Sequence, residues 1–265
     1  MSENSVHTKS RLSIFILQDG FSFLILNELS NPIAFDYVKQ KETDSITGLL
    51  KLLKSKINAQ LIEDYQIETL EVIYGNPQFS IVPNDYFEKS HISHYIKYNS
   101  KLIEGDDFSY DDLPVTKAKN VYIPYININN YLFEEFGSFK FSHILSVLIE
   151  KGTLEAPPKA EFVLLHLGAQ LIYIAAYKNQ NLQVANAFEC GTAEDLAYYV
   201  LFTIEELKFD REQLLLQMTG NLTHPEHQPA IELIQNYIKT IEFQNKESST
   251  QFIHQEAFEN HFNLF

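Results

Sequence analysis

The sequence predicts an α/β protein made of two tandem units, each a mixed β-sheet with flanking helices. Three observations carry that expectation. An order of three strands, a helix and a fourth strand occurs twice. Glycines punctuate both copies at nearly constant separation, with Gly20 and Gly168 lying 148 residues apart and Gly75 and Gly220 lying 145 apart. Apolar runs of strand length alternate with a segment of helical period, as mixed α/β units require.

Leu12 to Leu17 is nearly all apolar, as a strand buried on both faces should be. Gln18-Asp19-Gly20 turns the chain, and Phe21 to Asn27 returns as a second strand. Asn31-Pro32 makes the next turn before a third strand, Ile33 to Val38. Ile46, Leu49, Leu50, Leu53 and Ile57 share one helix face, and Glu71 to Tyr74 is the fourth strand, ending in Gly75-Asn76.

The second copy reads Phe162 to Leu167, a turn at Gly168-Ala169-Gln170, Leu171 to Tyr177, and Leu182 to Phe188. Thr192 and Asp195 have the spacing of a helix-capping pair, ahead of a helix carrying Leu196, Val200, Ile204 and Leu207. Leu214 to Met218 ends in Thr219-Gly220-Asn221.

Between the copies, Phe79 to Val82 reads as a strand and Asp85 to Leu102 as a helix. An acidic loop, Glu104 to Asp112, follows, then a strand at Val121 to Tyr125 and a helix at Asn129 to Phe136. Pro157-Pro158 cannot pair in a central sheet and marks a linker. The expected division is 1–156, 157–245, and a tail over 246–265 that carries Phe252, Phe258, Phe262 and Phe265 and either docks as a short helix or stays mobile.

Length and composition bound the function. For 265 residues, surface scaling gives roughly 12,000 Å² folded against about 44,000 Å² unfolded, ample for a real core. A net charge of −15 argues against nucleic-acid or anionic-membrane surfaces, both of which need a basic footprint. Cys190 is the one cysteine, so no disulfide framework or cysteine zinc site exists. It lies just past an apolar strand and reads as a packed thiol. No apolar leader or membrane-spanning run is visible, and the expected location is cytoplasmic.

No catalytic residue and no metal site is read from the chain. His91 and His94 have ligand spacing but no third ligand of compelling spacing, so they read as a surface pair. His224 and His227 read as part of a polar loop, and the acidic run lacks Ca²⁺-loop spacing. No Gly-x-Ser-x-Gly elbow occurs, and Glu205-Glu206 reads as helix surface.

The tandem order resembles the RNase H-like subdomains of the actin/Hsp70/sugar-kinase superfamily. More narrowly, Asp19-Gly20-Phe21-Ser22-Phe23, with Asn186-Ala187-Phe188 running into Ala193 to Tyr199, resembles the DUF3822 family of Bacteroidota over nearly the whole chain. The superfamily resemblance implies an ATP cleft between the two units, with phosphate loops at the two first hairpins and an adenosine motif after the second fourth strand. Carried onto this chain, the cleft would be lined by Asp19, Gly20, Ser22, Gly168, Ala169, Gln170, Gly220 and Asn221. The acids that act on Mg²⁺ are displaced: Gln18 stands at the first position, Asp19 is shifted by one, Phe21 replaces a hydroxyl, and His166 stands at the second. A one-residue shift in a strand turns a side chain to the other face, and phosphoryl transfer depends on metal and positioning. The expected function is therefore a non-catalytic protein-interaction scaffold with a degenerate nucleotide cleft, no cofactor and a protein partner. The alternative is an ATP-binding enzyme, an ATPase or small-molecule kinase, using Mg·ATP in that cleft.

Overall fold

The computed structural model describes residues 9–17, 20–39, 46–98, 102, 107–168, 171–225, 227–244 and 252–264. Two five-stranded mixed sheets carry the fold. In the first, β1 (Ser10–Leu17), β2 (Gly20–Leu26), β3 (Pro32–Lys39), β4 (Ile67–Gly75) and β8 (Lys140–His143) are ordered β3-β2-β1-β4-β8. In the second, β9 (Glu161–Leu167), β10 (Leu171–Lys178), β11 (Asn181–Glu189), β12 (Leu215–Gly220) and β13 (Thr240–Phe243) repeat it as β11-β10-β9-β12-β13. In each, the first three strands are antiparallel and the remaining two run parallel to the first. The fold class read from the sequence is the fold observed.

Between β4 and β8 the chain builds a third, three-stranded sheet from β5 (Phe79–Pro83), β6 (Ser109–Leu113) and β7 (Ala118–Tyr122), in the order β5-β7-β6. Among the described residues the long helix expected over 85–102 does not form. Two single 3₁₀ turns and a short helix, α3 (Ile92–Ile96), stand there instead. The Tyr95 hydroxyl donates to the Tyr86 carbonyl at 2.7 Å and accepts the Glu88 N–H at 2.8 Å, holding the segment in turns. The acidic loop is also partly misread. Asp111 lies in β6 and is largely buried, accepting the Tyr122 hydroxyl at 3.0 Å and the His143 N–H at 2.8 Å. Burial raises its carboxyl pKa. Glu104 and Asp106 lie outside the described residues.

Helices α1 (Ile46–Lys56), α2 (Ala59–Tyr65) and α4 (Ile126–Phe136) belong to the first half, and α6 (Ala193–Glu206) and α7 (His227–Gln235) to the second. Tyr74 on β4 donates to Asn129 on α4 at 2.6 Å, which places α4 over the face of sheet one that carries Leu12, Ile14 and Ile16. The expected cap of α6 is present in full: Thr192 Oγ1 accepts the Asp195 N–H and Asp195 Oδ2 accepts the Thr192 N–H, both at 3.1 Å.

Helix α5 (Ile144–Glu155) decides how the halves meet. It leaves the edge strand of sheet one and packs on β9, β10 and β11 of sheet two. Ile144, Leu145, Leu148 and Ile149 are buried in one continuous core with Phe162, Leu164, Tyr173 and Tyr177. Its start is fixed by His143. That ring accepts N–H bonds from Leu145 and Asn120 at Nδ1 and donates from Nε2 to the Asn76 carbonyl at 2.8 Å. Burial lowers its pKa to about 4, so the ring is neutral, as those roles require.

Because Leu148 joins the two sheets, Leu148→Ala is expected to cost about 2–5 kcal/mol and to shift a single cooperative urea transition. A loss under about 1 kcal/mol, or two separated transitions, would contradict a shared core.

Candidate functional site in the cleft between the sheets

Gln18, Asp19, Ala169 and Gln170, the tips of the two first hairpins, lie outside the described residues. Their flanks are described. Leu17 pairs with Gly20 across one hairpin, and the Gly168 N–H donates to the Leu171 carbonyl at 3.0 Å across the other. Each therefore closes over two residues, and Gly168 stands where Leu17 does, not where Gly20 does. The fourth strands are offset too. Ile16 pairs with Tyr74, and Leu167, its counterpart by the hairpins, pairs with Gly220. The topology repeats, but the glycines are not equivalent positions.

Gly20 and Gly220 are explained by the chain's own backbone. A Cβ on Gly20, at φ +150°, would stand 2.1 Å from the Val38 carbonyl oxygen. A Cβ on Gly220, at φ +90°, would stand 2.6 Å from the Leu167 carbonyl oxygen and 3.0 Å from the His166 ring. These positions need glycine for strand closure.

Ser22 lies on the face of sheet one that alternation assigns to Ser13, Phe15 and Leu24. Phe21 points the other way, buried with Ile14 and Ile16. That Ser22 face is covered by α8 (Gln255–Phe262), the C-terminal helix, so the docking alternative for the tail is the one the described residues show. Phe258 and Phe262 are buried against Leu24 and Leu26 and pack on Phe35. His261 stands between two strands: Nε2 is 2.9 Å from Ser13 Oγ and Nδ1 is 2.9 Å from Ser22 Oγ. Burial pushes its pKa down to about 3. A neutral imidazole has one N–H, so one serine accepts from the ring and the other donates to it.

The neighbouring residue reaches the other sheet. His166 Nε2 on β9 lies 2.6 Å from Asn260 Oδ1, and burial lowers the pKa of His166 to about 4. Nε2 is thus the donor. His166 Nδ1, Thr219 Oγ1 and Asn221 Oδ1 are buried without a hydrogen-bond partner, on adjacent positions of β9, β12 and the turn after it. Nearby, a Cβ on Gly75 would lie 3.0 Å from the Tyr173 hydroxyl and under 3 Å from Phe15 and Leu17, so the sheets meet in direct contact.

Of the eight residues singled out in the sequence, the described ones place Gly20, Ser22, Gly168, Gly220 and Asn221 around this junction; Asp19, Ala169 and Gln170 lie outside the described residues. Ser13, Asn260 and His261 were missed; the signal available was Phe258 and Phe262 at i, i+4 with polar residues between them. Among the described residues the donor set at the junction is hydroxyl, amide and imidazole, whereas Mg²⁺ takes carboxylate oxygens by preference. Elsewhere, His91 and His94 stack at 5.4 Å and His91 Nδ1 lies 3.1 Å from exposed Glu88. His227 is buried with Nδ1 2.7 Å from the Asn221 carbonyl. Cys190 packs against the second core, and burial pushes its thiol up to about 12. No group of three metal-ligating side chains occurs among the described residues.

The chain belongs to the DUF3822 family, described as a protein of unknown function, whose profile matches residues 2–241. A search of curated proteins finds no match. Among solved structures, a Bacteroides thetaiotaomicron protein with an actin-like ATPase fold and unknown function is 22% identical, over 92% of this chain and 94% of that one, with a TM-score of 0.76. The PilM–PilN type IV pilus biogenesis complex matches at 10% identity, over 96% of this chain and 97% of that one, with a TM-score of 0.56. This chain has the actin-like ATPase fold. No helix among the described residues is long and apolar enough to cross a membrane.

Two outcomes follow from the buried imidazoles. His143, His166 and His261 all have folded pKa values below the ordinary 6.5. Their contribution is intact above about pH 6.5 and is lost as pH falls toward 4, because only the unfolded chain takes up those protons. At pH 5 each is expected to have cost about 2 kcal/mol. Asp111, raised by burial, works in the opposite direction at lower pH. Melting followed by circular dichroism should fall steeply from pH 7 to 5, and a flat profile would contradict neutral buried imidazoles. Separately, His261→Ala leaves two buried hydroxyls unpaired and should cost about 2–5 kcal/mol. Adding Ser13→Ala and Ser22→Ala should recover part of that loss.

Proposed function

We propose that this chain is a non-catalytic protein-interaction scaffold in which the C-terminal helix, instead of a nucleotide, holds the two halves of an actin-like fold together. The observation that carries this reading is His261 bridging Ser13 and Ser22 while Asn260 binds His166. The hydroxyl expected on phosphate thus bonds the chain's own histidine, and His166, at an expected metal-acid position, bonds the chain's own amide. The halves are taken as 1–156 and 157–245, with 246–265 as the tail, whose helix α8 clamps them.

A partner protein in the cytoplasm fits this reading. PilM, of the same fold, is solved as a complex with PilN. A net charge of −15 favours a basic segment by long-range attraction, and disfavours nucleic acid. The alternative, ATP binding with ATPase or kinase activity, keeps the support of a glycine flanking each first hairpin turn, on opposite arms.

Calorimetry and thermal melting with Mg·ATP and Mg·ADP separate the two. At about 1 mM nucleotide the melting temperature is expected to stay within about 1 °C, whereas a ligand present at 100 times its Kd would add about 2.7 kcal/mol. Saturable heat, or phosphate release above background, would overturn the scaffold reading.

A further inference from the structure

A groove of about 610 Å³ opens between the small sheet and the β11 edge of sheet two. Its walls have an unusual composition. One is Phe79, Ser80 and Ile81 of β5, and the other is Ala185–Glu189 of β11. Both runs are consecutive. A sheet face contributes every second residue to a cavity, because side chains alternate, so consecutive lining means that the groove meets strand edges. The strand orders agree: β5 ends the small sheet and β11 ends sheet two. Pro83, which cannot donate to a ladder, sits in β5 as an edge strand allows.

The edge of β11 carries its own marker. The Ala187 N–H donates to the Asn186 side-chain oxygen at 2.9 Å, so an amide oxygen stands where a neighbouring strand would place a carbonyl. Alanines at 185 and 187, half-buried against the main core, line the groove on one face of the edge. On the other, Phe188 and Tyr199 stack at 4.4 Å and offer a flat aromatic surface. Among the described lining residues Glu189 is the one charged side chain, and it is exposed. The first turn of α6, which follows in sequence, carries Glu194 and Asp195, the latter accepting the Gly191 and Thr192 N–H groups.

We propose that this groove is a peptide site: an extended segment of a partner protein, carrying lysine or arginine, adds as a strand to the edge of β11. Backbone bonds along five residues, about 17 Å of strand, supply affinity. Alternate side chains of the segment lie against the Phe188–Tyr199 rings and beside Glu189 and supply selectivity. The occupant is basic because the wall charge and the whole chain are acidic. This rests on the scaffold reading and gives it a site.

The probe is a blocked, fluorescein-labelled hexapeptide of alternating lysine and valine, read by anisotropy against the intact chain. Saturable binding below about 1 mM is expected, with about tenfold or greater loss for the glutamate–valine peptide, for the lysine–valine peptide N-methylated along one edge, and for Glu189→Lys. Ala187→Pro, which removes an edge N–H that bonds only the adjacent side chain, should weaken binding similarly while the circular dichroism melt shows a folded chain. If that variant unfolds, Glu189→Lys and the N-methylated peptide decide. No saturation by about 1 mM, equal binding of the acidic peptide, or indifference to Glu189→Lys would overturn the proposal. Such a failure leaves the scaffold reading standing, since only nucleotide binding or turnover sinks that.

Discussion

The structure depends on an exchange of helices between its halves. Helix α5 grows from the last strand of sheet one and covers an inner face of sheet two; α8 follows the last strand of sheet two and covers the matching face of sheet one. Neither inner face is complete without a helix supplied by the other half. The main core accordingly runs through both, joining Phe15 and Leu145 to Phe162 and Tyr177. An eight-residue helix has little stability in water by itself. Helix α8 therefore exists because it is docked, and burying Phe258 and Phe262 contributes about 1.5–3 kcal/mol each toward holding it.

The two exchanged helices are held by different physics. Around α5 the contacts are apolar apart from a few hydrogen bonds, such as that from the Tyr177 hydroxyl to the Ile149 carbonyl at 2.9 Å. Around α8 an apolar contact of Phe258 and Phe262 is joined by a buried polar set: Ser13, Ser22, His166, Asn260 and His261. Net gains from such hydrogen bonds are small, near 1 kcal/mol, but leaving one unmade is costly. The consequence is directional. Only one rotation of α8 puts His261 between the serines and Asn260 against His166, so polar pairing fixes the helix's seat while the phenylalanines supply its hold. The junction also becomes dependent on neutral imidazoles.

How much of this could be read in the sequence follows from burial. β1, β9 and β10 are covered on both faces, so their sequences are apolar runs with little alternation, and they are legible at once. α6 announces itself by Thr192 and Asp195. α5 does not: apolar on several sides, it has no clean helical period. The span after Pro83 has enough apolar residues for a helix, but Tyr95 ties the Tyr86 and Glu88 backbone into turns, a tertiary bond no local pattern shows. Asp111 hides in an acidic run because its role, meeting the His143 N–H where α5 begins, depends on a residue 32 positions away. The glycines that signalled the duplication were good punctuation and poor alignment. Gly20 and Gly168 sit on opposite arms of their hairpins, so a true repeat of topology was found through positions that do not superpose.

The repeat is also informative where its halves differ. β3 and β11 are the matching edge strands, and each has an acid or amide whose oxygen accepts the next residue's N–H: Asp36 for Tyr37 and Asn186 for Ala187, both at 2.9 Å. Exposed edges invite pairing with another chain, and charge is a common way to discourage it. At β3 the charge is present and anchored, since Asp36 Oδ2 is 2.7 Å from Lys56 Nζ, and α8 packs alongside. At β11 the same position carries a neutral amide and opens on a groove whose far wall is a second strand edge. One half closes the edge that the other presents. Protection against unwanted pairing applies equally to both edges, so it does not account for the asymmetry, whereas a strand-accepting groove in one half does.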